Sequence, residues 1–189
     1  MRKVAVIVGS IRKDSINKKL AGALEKLAAG KLQFDRVRID DLPLFNQDDE
    51  KEPTPAVTRM KGELRAADAV LLVTPEHNRS IPAAMKNAID WATRPHGDDA
   101  FRGKAAAIIG TSRGSIGTAV AQSHLRTIIV SHVSALLGSP EAYVVFKDGL
   151  VDDDGNVTDE TSRKFLQGFI DNFAALVEKT AKAEAASKG

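Results

Sequence analysis

The segment from Ala69 to Trp91 limits the fold of this chain more than any other. Its apolar run, residues 69–73, has the length and composition of a buried strand. The run stops at Thr74-Pro75 and a polar loop follows. We predict that a helix begins at Pro82, because a fixed φ and a missing N–H suit the first helical turn. Loops between the carboxyl end of a strand and the amino end of a helix bind the ligands of open α/β sheets. The segment therefore predicts an α/β fold with a binding loop at this point.

The same order of strand, loop and helix occurs twice more. Near the start, a strand at 3–8 leads into the polar loop 9–17 and a helix that runs to about Ala29. Later, a strand at 104–110 leads into a glycine-rich loop and another helix. The loops at 9–17 and 75–80 differ in chemistry, which indicates one ligand with a phosphate end and a ring end.

Strand-like and helix-like runs alternate along the whole chain. We predict strands at 4–8, 34–39, 69–73, 104–110 and 142–146. After the first helix, we predict further helices at 56–66, 82–93, 118–134 and 159–181. Five strands that alternate with five helices predict a parallel sheet covered on both faces, with right-handed crossovers. We expect a single domain over residues 1–189, with a disordered tail at 182–189.

The composition excludes several classes of function. The net charge is only +2, from 27 basic and 25 acidic residues, so nothing indicates a nucleic-acid or membrane partner. The absence of cysteine excludes disulfides, thiol catalysis and cysteine-ligated metal. Any redox activity must therefore come from a bound cofactor. No signal peptide or membrane span is evident, and we expect a cytoplasmic protein.

The first loop, Gly9 to Asn17, has the composition of an anion site without a standard nucleotide motif. It lacks both the Walker pattern and G-x-G-x-x-G. Instead, Ser10, Arg12, Ser15 and Asn17 surround a helix N-terminus, where first-turn N–H groups and the helix dipole favour an anion. The alternative is plain capping by Ser15 or Asp14, with Arg12 in solvent. Spacing alone leaves both interpretations open.

The second loop, 75–80, carries more donors and acceptors than a simple connection needs. Its backbone N–H groups are suited to a planar heterocycle, on which His77 would stack. The alternative is a turn in which Glu76 is exposed and Ser80 caps the next helix. On that helix we expect a surface pair between Lys86 and Asp90. We also expect Trp91 to anchor the core or an interface.

The third loop, 110–117, contains three glycines within eight residues, which permits close backbone approach or positive φ. A ligand that spans three strand ends needs such a loop, although a flexible turn explains it equally well. We predict no metal site, because His96 and His124 are isolated and the acidic cluster 152–154 lacks the flanking helices and the glutamate of a calcium loop. His132 is expected to be in solvent.

Taken together, the loops resemble those of the NADPH-dependent FMN reductase family. That family has a Gly-Ser-x-Arg-x-x-Ser-x-Asn loop, which is present here from Gly9 to Asn17. Its second motif, Pro-Glu-Tyr-Asn-x-Ser-(Ile/Val)-Pro-Gly-x-Leu-Lys-Asn-Ala-Ile-Asp-Trp, corresponds to residues 75–91, and Lys86 to Trp91 match it without a change. The resemblance extends from Val4 to about Phe146. It implies a flavodoxin-like doubly wound five-stranded parallel sheet of order 2-1-3-4-5.

The resemblance also implies the roles of the three loops. The first loop would hold the FMN phosphate, the second would meet the isoalloxazine ring, and the third would flank the other edge of the ring. The implied cofactor-binding residues are Ser10, Arg12, Ser15, Ile16, Asn17, Pro75, Glu76, His77, Asn78, Ser80, Ser112, Arg113 and Gly114. No catalytic side chain is implied, because the chemistry would occur at N5 of FMN. Arg113 or Arg79 would stabilise the reduced, anionic flavin.

Three positions depart from the family pattern. His77 replaces the usual tyrosine, Ala83 replaces the glycine after Pro82, and Thr118 replaces the second glycine of a Gly-Gly pair. None of them removes a phosphate contact. The departures concern the preference for an electron acceptor more than FMN binding.

The resemblance implies an FMN-dependent NAD(P)H oxidoreductase with ping-pong kinetics. Its acceptors would be quinones, chromate, azo compounds, free flavin or ferric complexes. We expect a homodimer or homotetramer, with the helices at 82–93 and 118–134 at the interface. One alternative is a flavodoxin-type electron carrier that docks redox proteins, although such carriers usually have a strongly acidic surface. Another is a nucleotide-binding or regulatory domain without flavin.

Overall fold

The computed structural model of the protein describes residues 1–187. In that range the strands are β1 (Arg2–Val8), β2 (Leu32–Val37), β3 (Ala69–Val73), β4 (Ala105–Ser112), β5 (Ala135–Leu136) and β6 (Ala142–Val145). The helices are α1 (Ile16–Leu27), α2 (Pro55–Arg65), α3 (Ala83–Ala92), α4 (Ala119–Ile129) and α5 (Glu160–Ala186), with a short 3-10 helix at Gln47–Asp49. All pairings between these strands are parallel.

The sheet has the predicted flavodoxin-like order, β2-β1-β3-β4-β5, and β6 also pairs with β4. β1 lies between β2 and β3, with Val4 opposite Ala69 and Val8 opposite Val73. β3 continues the sheet to β4, with Ala69 opposite Ala105. The carboxyl ends of β1, β3 and β4 therefore lie side by side, which brings the three predicted loops to one edge.

Two short strands occupy the fifth position of the sheet, where we predicted one. β5 pairs with the start of β4, and β6 pairs with its end, with Ile109 opposite Ala142. α4 ends at Ile129 and not at Ser134 as predicted. Two causes shorten it. The run from Thr127 to Val130 is β-branched, which lowers helix propensity, and from Ser134 onward the chain bonds to Lys104 and to β4. The N–H of Ser134 donates to Lys104 O (2.9 Å).

Helices cover both faces of the sheet because the strand side chains alternate between two hydrophobic clusters. One cluster joins β1 residues such as Val4 and Val6 to α1 and α5. The other joins Ala5 and Ile7 to α2, α3 and α4. This alternation follows from the period of two in a strand, and it leaves every strand of the sheet centre buried on both sides.

Two helix ends differ from the prediction. Pro82 precedes α3, since its ψ of 148° is extended and its carbonyl accepts from the N–H of Met85 and Lys86 (3.0 and 3.1 Å). Ala83 therefore takes the first helical position. α5 continues to Ala186 where we predicted an end near 181 and a disordered tail from 182. Residues 188 and 189 of that predicted tail lie outside the described range.

Within residues 1–187, no helix combines the length and apolarity that crossing a bilayer requires.

Candidate active site

The first loop, residues 9–15, leaves β1 and enters α1 with most of its backbone N–H groups unused. Its start is fixed by the N–H of Gly9, which donates to Val73 O (2.9 Å). The N–H groups of residues 10–16 donate to no protein acceptor in the part of the chain that the structure describes. Arg12 and Ile11 are exposed, and Ser10 is half-buried. A run of unpaired N–H groups ahead of a helix N-terminus is the arrangement that binds an anion.

Ser15 caps α1, as the capping alternative predicted. Its Oγ accepts from the N–H groups of Asn17 (3.2 Å) and Lys18 (3.4 Å). Capping by Ser15 satisfies two donors of the first helical turn. It leaves the N–H groups before Asn17 unpaired, so capping and an anion site are compatible here.

Asn17 is fully engaged by the neighbouring strand. Its Nδ2 donates to Thr111 O (2.9 Å), and its Oδ1 accepts from the N–H of Thr111 (3.0 Å). Both residues are buried. Asn17 therefore ties the start of α1 to the end of β4 through a two-point amide pair, a structural role that the sequence motif did not indicate.

The second loop is a tight hairpin. The N–H of His77 donates to Ser80 O and the N–H of Ser80 donates to His77 O, both at 2.9 Å. Asn78 and Arg79, between them, have φ of 50° and 63°. Positive φ at both central residues defines a type I′ turn, which favours glycine or asparagine over arginine. His77 is exposed at the base of this turn.

The hairpin is bound to α4 at two points. Glu76 Oε2 accepts from the N–H groups of Val120 and Ala121, both at 3.1 Å. Ser80 Oγ lies 3.1 Å from His124 Nδ1. Glu76, expected in solvent under the turn alternative, has a side chain only 11% exposed, and Ser80 bonds to α4 instead of capping α3.

The third loop folds around Ser112. The N–H of Gly114 donates to Ser112 Oγ (3.2 Å), and the N–H of Gly117 donates to Gly114 O (3.0 Å). Arg113 points to Asp148, with 2.7 Å between Nη2 and Oδ1. This hydrogen bond lowers the pKa of the Asp148 carboxyl below its usual range. Arg113 thus has a close acidic partner. The side chain of Arg79 is 74% exposed, and its Nη1 lies 4.0 Å from Glu76 Oε1.

The second and third loops touch at their bases. A Cβ on Gly110 would lie 2.0 Å from Thr74 O and 2.4 Å from Thr118 Oγ1. Gly117 has a φ of 60°, and a Cβ there would lie 2.9 Å from Tyr143 C. Two of the loop glycines are therefore required by close backbone approach, which agrees with the prediction for this loop.

A cleft of about 450 Å³ lies between the second and third loops. It is lined by Glu76, Asn78, Arg79, Ser112, Gly114, Ser115, Ile116 and Gly117. Five predicted residues meet here: the predicted cofactor-binding residues Glu76, Asn78, Ser112 and Gly114, and Arg79, a predicted cation for the reduced flavin. The sequence motifs did not predict Ser115, Ile116 and Gly117 as lining residues. The spacing of the glycines in this loop was the feature of the sequence that indicated a binding surface here.

The other predicted residues lie outside that cleft. Ser10 lines a smaller cleft of about 280 Å³ beside β2. Arg12 and His77 are exposed. Another cleft, of about 630 Å³, lies between β6 and the start of α5 and is lined by none of the predicted site residues.

Several expectations for single residues are settled by contacts. Lys86 and Asp90 form the predicted pair (2.6 Å). Trp91 is a core anchor, and its Nε1 donates to Pro43 O (2.9 Å). His132 was expected in solvent, but its Nδ1 lies 2.6 Å from Asp99 Oδ2 and its side chain is half-buried, 30% exposed. Among residues 1–187, no cluster of three or more metal-ligating side chains occurs.

Comparisons with known proteins show which family the chain belongs to. The family model for NADPH-dependent FMN reductases matches residues 2–148. The chain belongs to this family. It is 47% identical over 175 residues to a 2-hydroxy-1,4-benzoquinone reductase from Burkholderia sp, with 93% of this chain and 96% of that protein covered. It is 47% identical over 176 residues to a quinone reductase from Pseudomonas putida, with 93% and 94% covered.

A solved structure shares the fold closely. The flavoenzyme NAD(P)H:(acceptor) oxidoreductase FerB from Paracoccus denitrificans superimposes with a TM-score of 0.92 at 48% identity, covering 95% of this chain and 99% of that one. The protein is therefore an oxidoreductase of the FMN reductase family, with FMN as cofactor and NAD(P)H as co-substrate.

The residues of this chain fit FMN. The unpaired N–H groups of residues 10–16 match a phosphate, which is an anion with several acceptor oxygens. In the second loop, the N–H groups of Glu76, Asn78 and Arg79 have no protein acceptor within the described range. These groups are donors for a ring that carries carbonyl and imine acceptors. Gly9 allows the first loop to pack closely against Pro82, since a Cβ on Gly9 would lie 3.0 Å from Pro82 Cγ.

Proposed function

We propose that this protein passes two electrons from NAD(P)H through FMN to small-molecule acceptors, above all quinones, by a ping-pong mechanism. The observation that carries the proposal is the pair of adjacent surfaces at one sheet edge: a loop of unpaired N–H groups, and beside it an open cleft with further unpaired N–H groups. One surface suits a phosphate and the other suits a ring. Relatives named quinone reductases favour quinones as acceptors.

The proposed binding roles follow the loops. Backbone N–H groups of residues 10–16, among them Ser15 and Ile16, would surround the phosphate, and Arg12 would add a charge-assisted bond. Asn17 would hold this loop against β4 through Thr111. Pro75 to Asn78 would present backbone groups to the ring, and Ser112 to Gly114 would form the opposite wall.

Bound FMN supplies the redox chemistry, because its N5 accepts hydride and the reduced ring returns the electrons to an acceptor. The protein has to position the ring and balance its charge. Arg79 is the exposed cation at the cleft, since Arg113 is bonded to Asp148. An open cleft also suits acceptors of different shape, and on this ground we include chromate, azo compounds, free flavin and ferric complexes as candidate acceptors.

The test is steady-state kinetics with the FMN-loaded protein. NAD(P)H and 1,4-benzoquinone should give parallel lines in double-reciprocal plots, because one ring serves both substrates in turn. Lines that intersect would mean a ternary complex and would contradict the mechanism. A protein that binds no FMN would contradict the proposed function as a whole.

We also propose that the protein works in the cytoplasm as a homodimer or homotetramer with α3 and α4 at the interface. The support at the end of α4 is the exposed side chain of Val130, the residue after the helix, near the half-buried Ile128. Light scattering should give a mass at least twice 20.2 kDa. Val130→Glu should lower that mass, and a parent protein of 20.2 kDa in solution would rule the assembly out.

A further inference from the structure

α4 has no N-terminal cap of its own. Its N-cap residue, Thr118, makes no side-chain bond to the first turn, and that turn contains no acidic residue. Thr118 Oγ1 instead accepts from Gln122 Nε2 (3.0 Å). The N–H groups of Val120 and Ala121, which a cap normally satisfies, are satisfied by Glu76 from another loop.

Glu76 therefore belongs to two structures at once. It precedes the hairpin that forms one wall of the cleft, and its carboxylate is bonded to the helix that follows the other wall. The side chain is 11% exposed, so this contact is protected from solvent. The hairpin has positive φ at Asn78 and Arg79, which is unfavourable for arginine, and the Glu76 bonds anchor it from outside the turn.

We infer that Glu76 is a positioning residue, whose carboxylate sets the separation of the two cleft walls and the electrostatic potential at the cleft through its bonds to α4. The geometric part follows from the two bonds to α4. The electrostatic part follows from the helix dipole: a carboxylate at a helix N-terminus compensates its partial positive charge. Without the carboxylate, the N-terminus of α4 would favour an anionic ring in the cleft. For its flavin measurements, the inference depends on the proposed function.

Two substitutions separate the two effects. Glu76→Ala removes both the cap and the charge, whereas Glu76→Gln keeps an acceptor of the same shape and removes only the charge. Glu63→Gln is the matched control, because Glu63 pairs with Arg59 on α2, away from the cleft.

Amide hydrogen exchange of the apoprotein tests the geometry without any flavin. In Glu76→Ala, the N–H groups of Val120 and Ala121 should exchange at least tenfold faster than in the parent. Glu76→Gln should retain most of the protection and Glu63→Gln all of it. Equal protection of both N–H groups in the parent and in Glu76→Ala would overturn the positioning role.

Two flavin measurements test the consequence for the cofactor. Titration of the apoprotein should show at least tenfold weaker FMN binding in Glu76→Ala. In Glu76→Gln, the affinity for reduced FMN should rise about tenfold relative to oxidised FMN, which raises the midpoint potential by about 30 mV for a two-electron couple. A change below twofold in that ratio would overturn the electrostatic part. If the parent binds no FMN, the proposed function fails, and hydrogen exchange still decides whether Glu76 holds the hairpin.

Discussion

The first and second loops follow neighbouring strands of one sheet and are stabilised in different ways. The first is anchored at its two ends, by Gly9 on Val73 and by Asn17 on Thr111, and the N–H groups between those anchors are unpaired in the described structure. The second bonds to itself across His77 and Ser80 and to α4 through Glu76. An anion can supply the missing bonds of the first loop. The second loop takes its shape from bonds within the protein, and its N–H groups at Glu76, Asn78 and Arg79 have no acceptor in the described structure.

The largest effect should come from the place where the second and third loops meet. Gly110→Ala should cost at least about 3 kcal/mol of unfolding free energy, the upper end for overpacking, because the new Cβ would meet the backbone oxygen of Thr74 at 2.0 Å. Urea denaturation measures the loss. Gly138→Ala is the control, since a Cβ there meets nothing within 4 Å.

Gly9→Ala extends this test to the first loop. Its new Cβ would meet side-chain atoms of Pro82 and Met85 at 3.0–3.2 Å. Because side chains yield more easily than backbone, we expect a smaller cost, about 1–2 kcal/mol. If Gly9→Ala lost as much unfolding free energy as Gly110→Ala, side-chain neighbours would not yield more easily than backbone neighbours at these two positions.

The next effect tests the anchor of the first loop. Asn17→Ala should lower the free energy of unfolding by about 2–4 kcal/mol, because each of the two buried Thr111 groups left unpaired costs about 1–3 kcal/mol. The measurement is again urea denaturation of the apoprotein. Lys18→Ala, on the exposed face one residue later, serves as control. If both variants were equally stable, the Asn17–Thr111 pair would not anchor the loop.

The third effect tests what the first loop binds. Arg12→Ala should weaken FMN binding by roughly 1.5–3 kcal/mol, the cost of a lost charged hydrogen bond. Stability should hardly change, because Arg12 is exposed. FMN titration of the apoprotein gives the affinity, and Lys13→Ala provides an exposed cation in the same loop for comparison. Identical losses in both variants would indicate general charge attraction and not a specific contact.

The smallest effect concerns backbone strain. Arg79 has a φ of 63°, and Arg79→Gly should therefore raise stability or leave it within about 1 kcal/mol of the parent. Lys13 has no positive φ, and Lys13→Gly should lower stability by about 0.4–1 kcal/mol through the unfolded state. Thermal unfolding of both variants suffices. A larger loss for Arg79→Gly than for Lys13→Gly would contradict strain in the second loop.

The sequence by itself determined the sheet and the location of the loops. Apolar runs such as 69–73 and the alternation from Phe34 to Ile39 depend on local periodicity, which a single chain displays directly. The motif from Lys86 to Trp91 likewise indicated the family that the comparisons established. Boundaries were less accurate where tertiary bonds compete with local propensity, as after α4, where Lys104 O, just before β4, accepts from the N–H of Ser134.

Only the tertiary structure decided which partner each polar side chain of the loops has. Asn17 and Thr111 are 94 residues apart, and Glu76 lies 44 residues before Val120. No local pattern in the sequence carries such pairs, because they exist only when parallel strands bring their carboxyl ends to one edge. The motif named Asn17 and Glu76 as cofactor ligands, and the fold bonds their side chains to the protein itself. The physical reason is that a buried amide or carboxylate requires hydrogen-bond partners, and packing between distant segments decides which groups provide them.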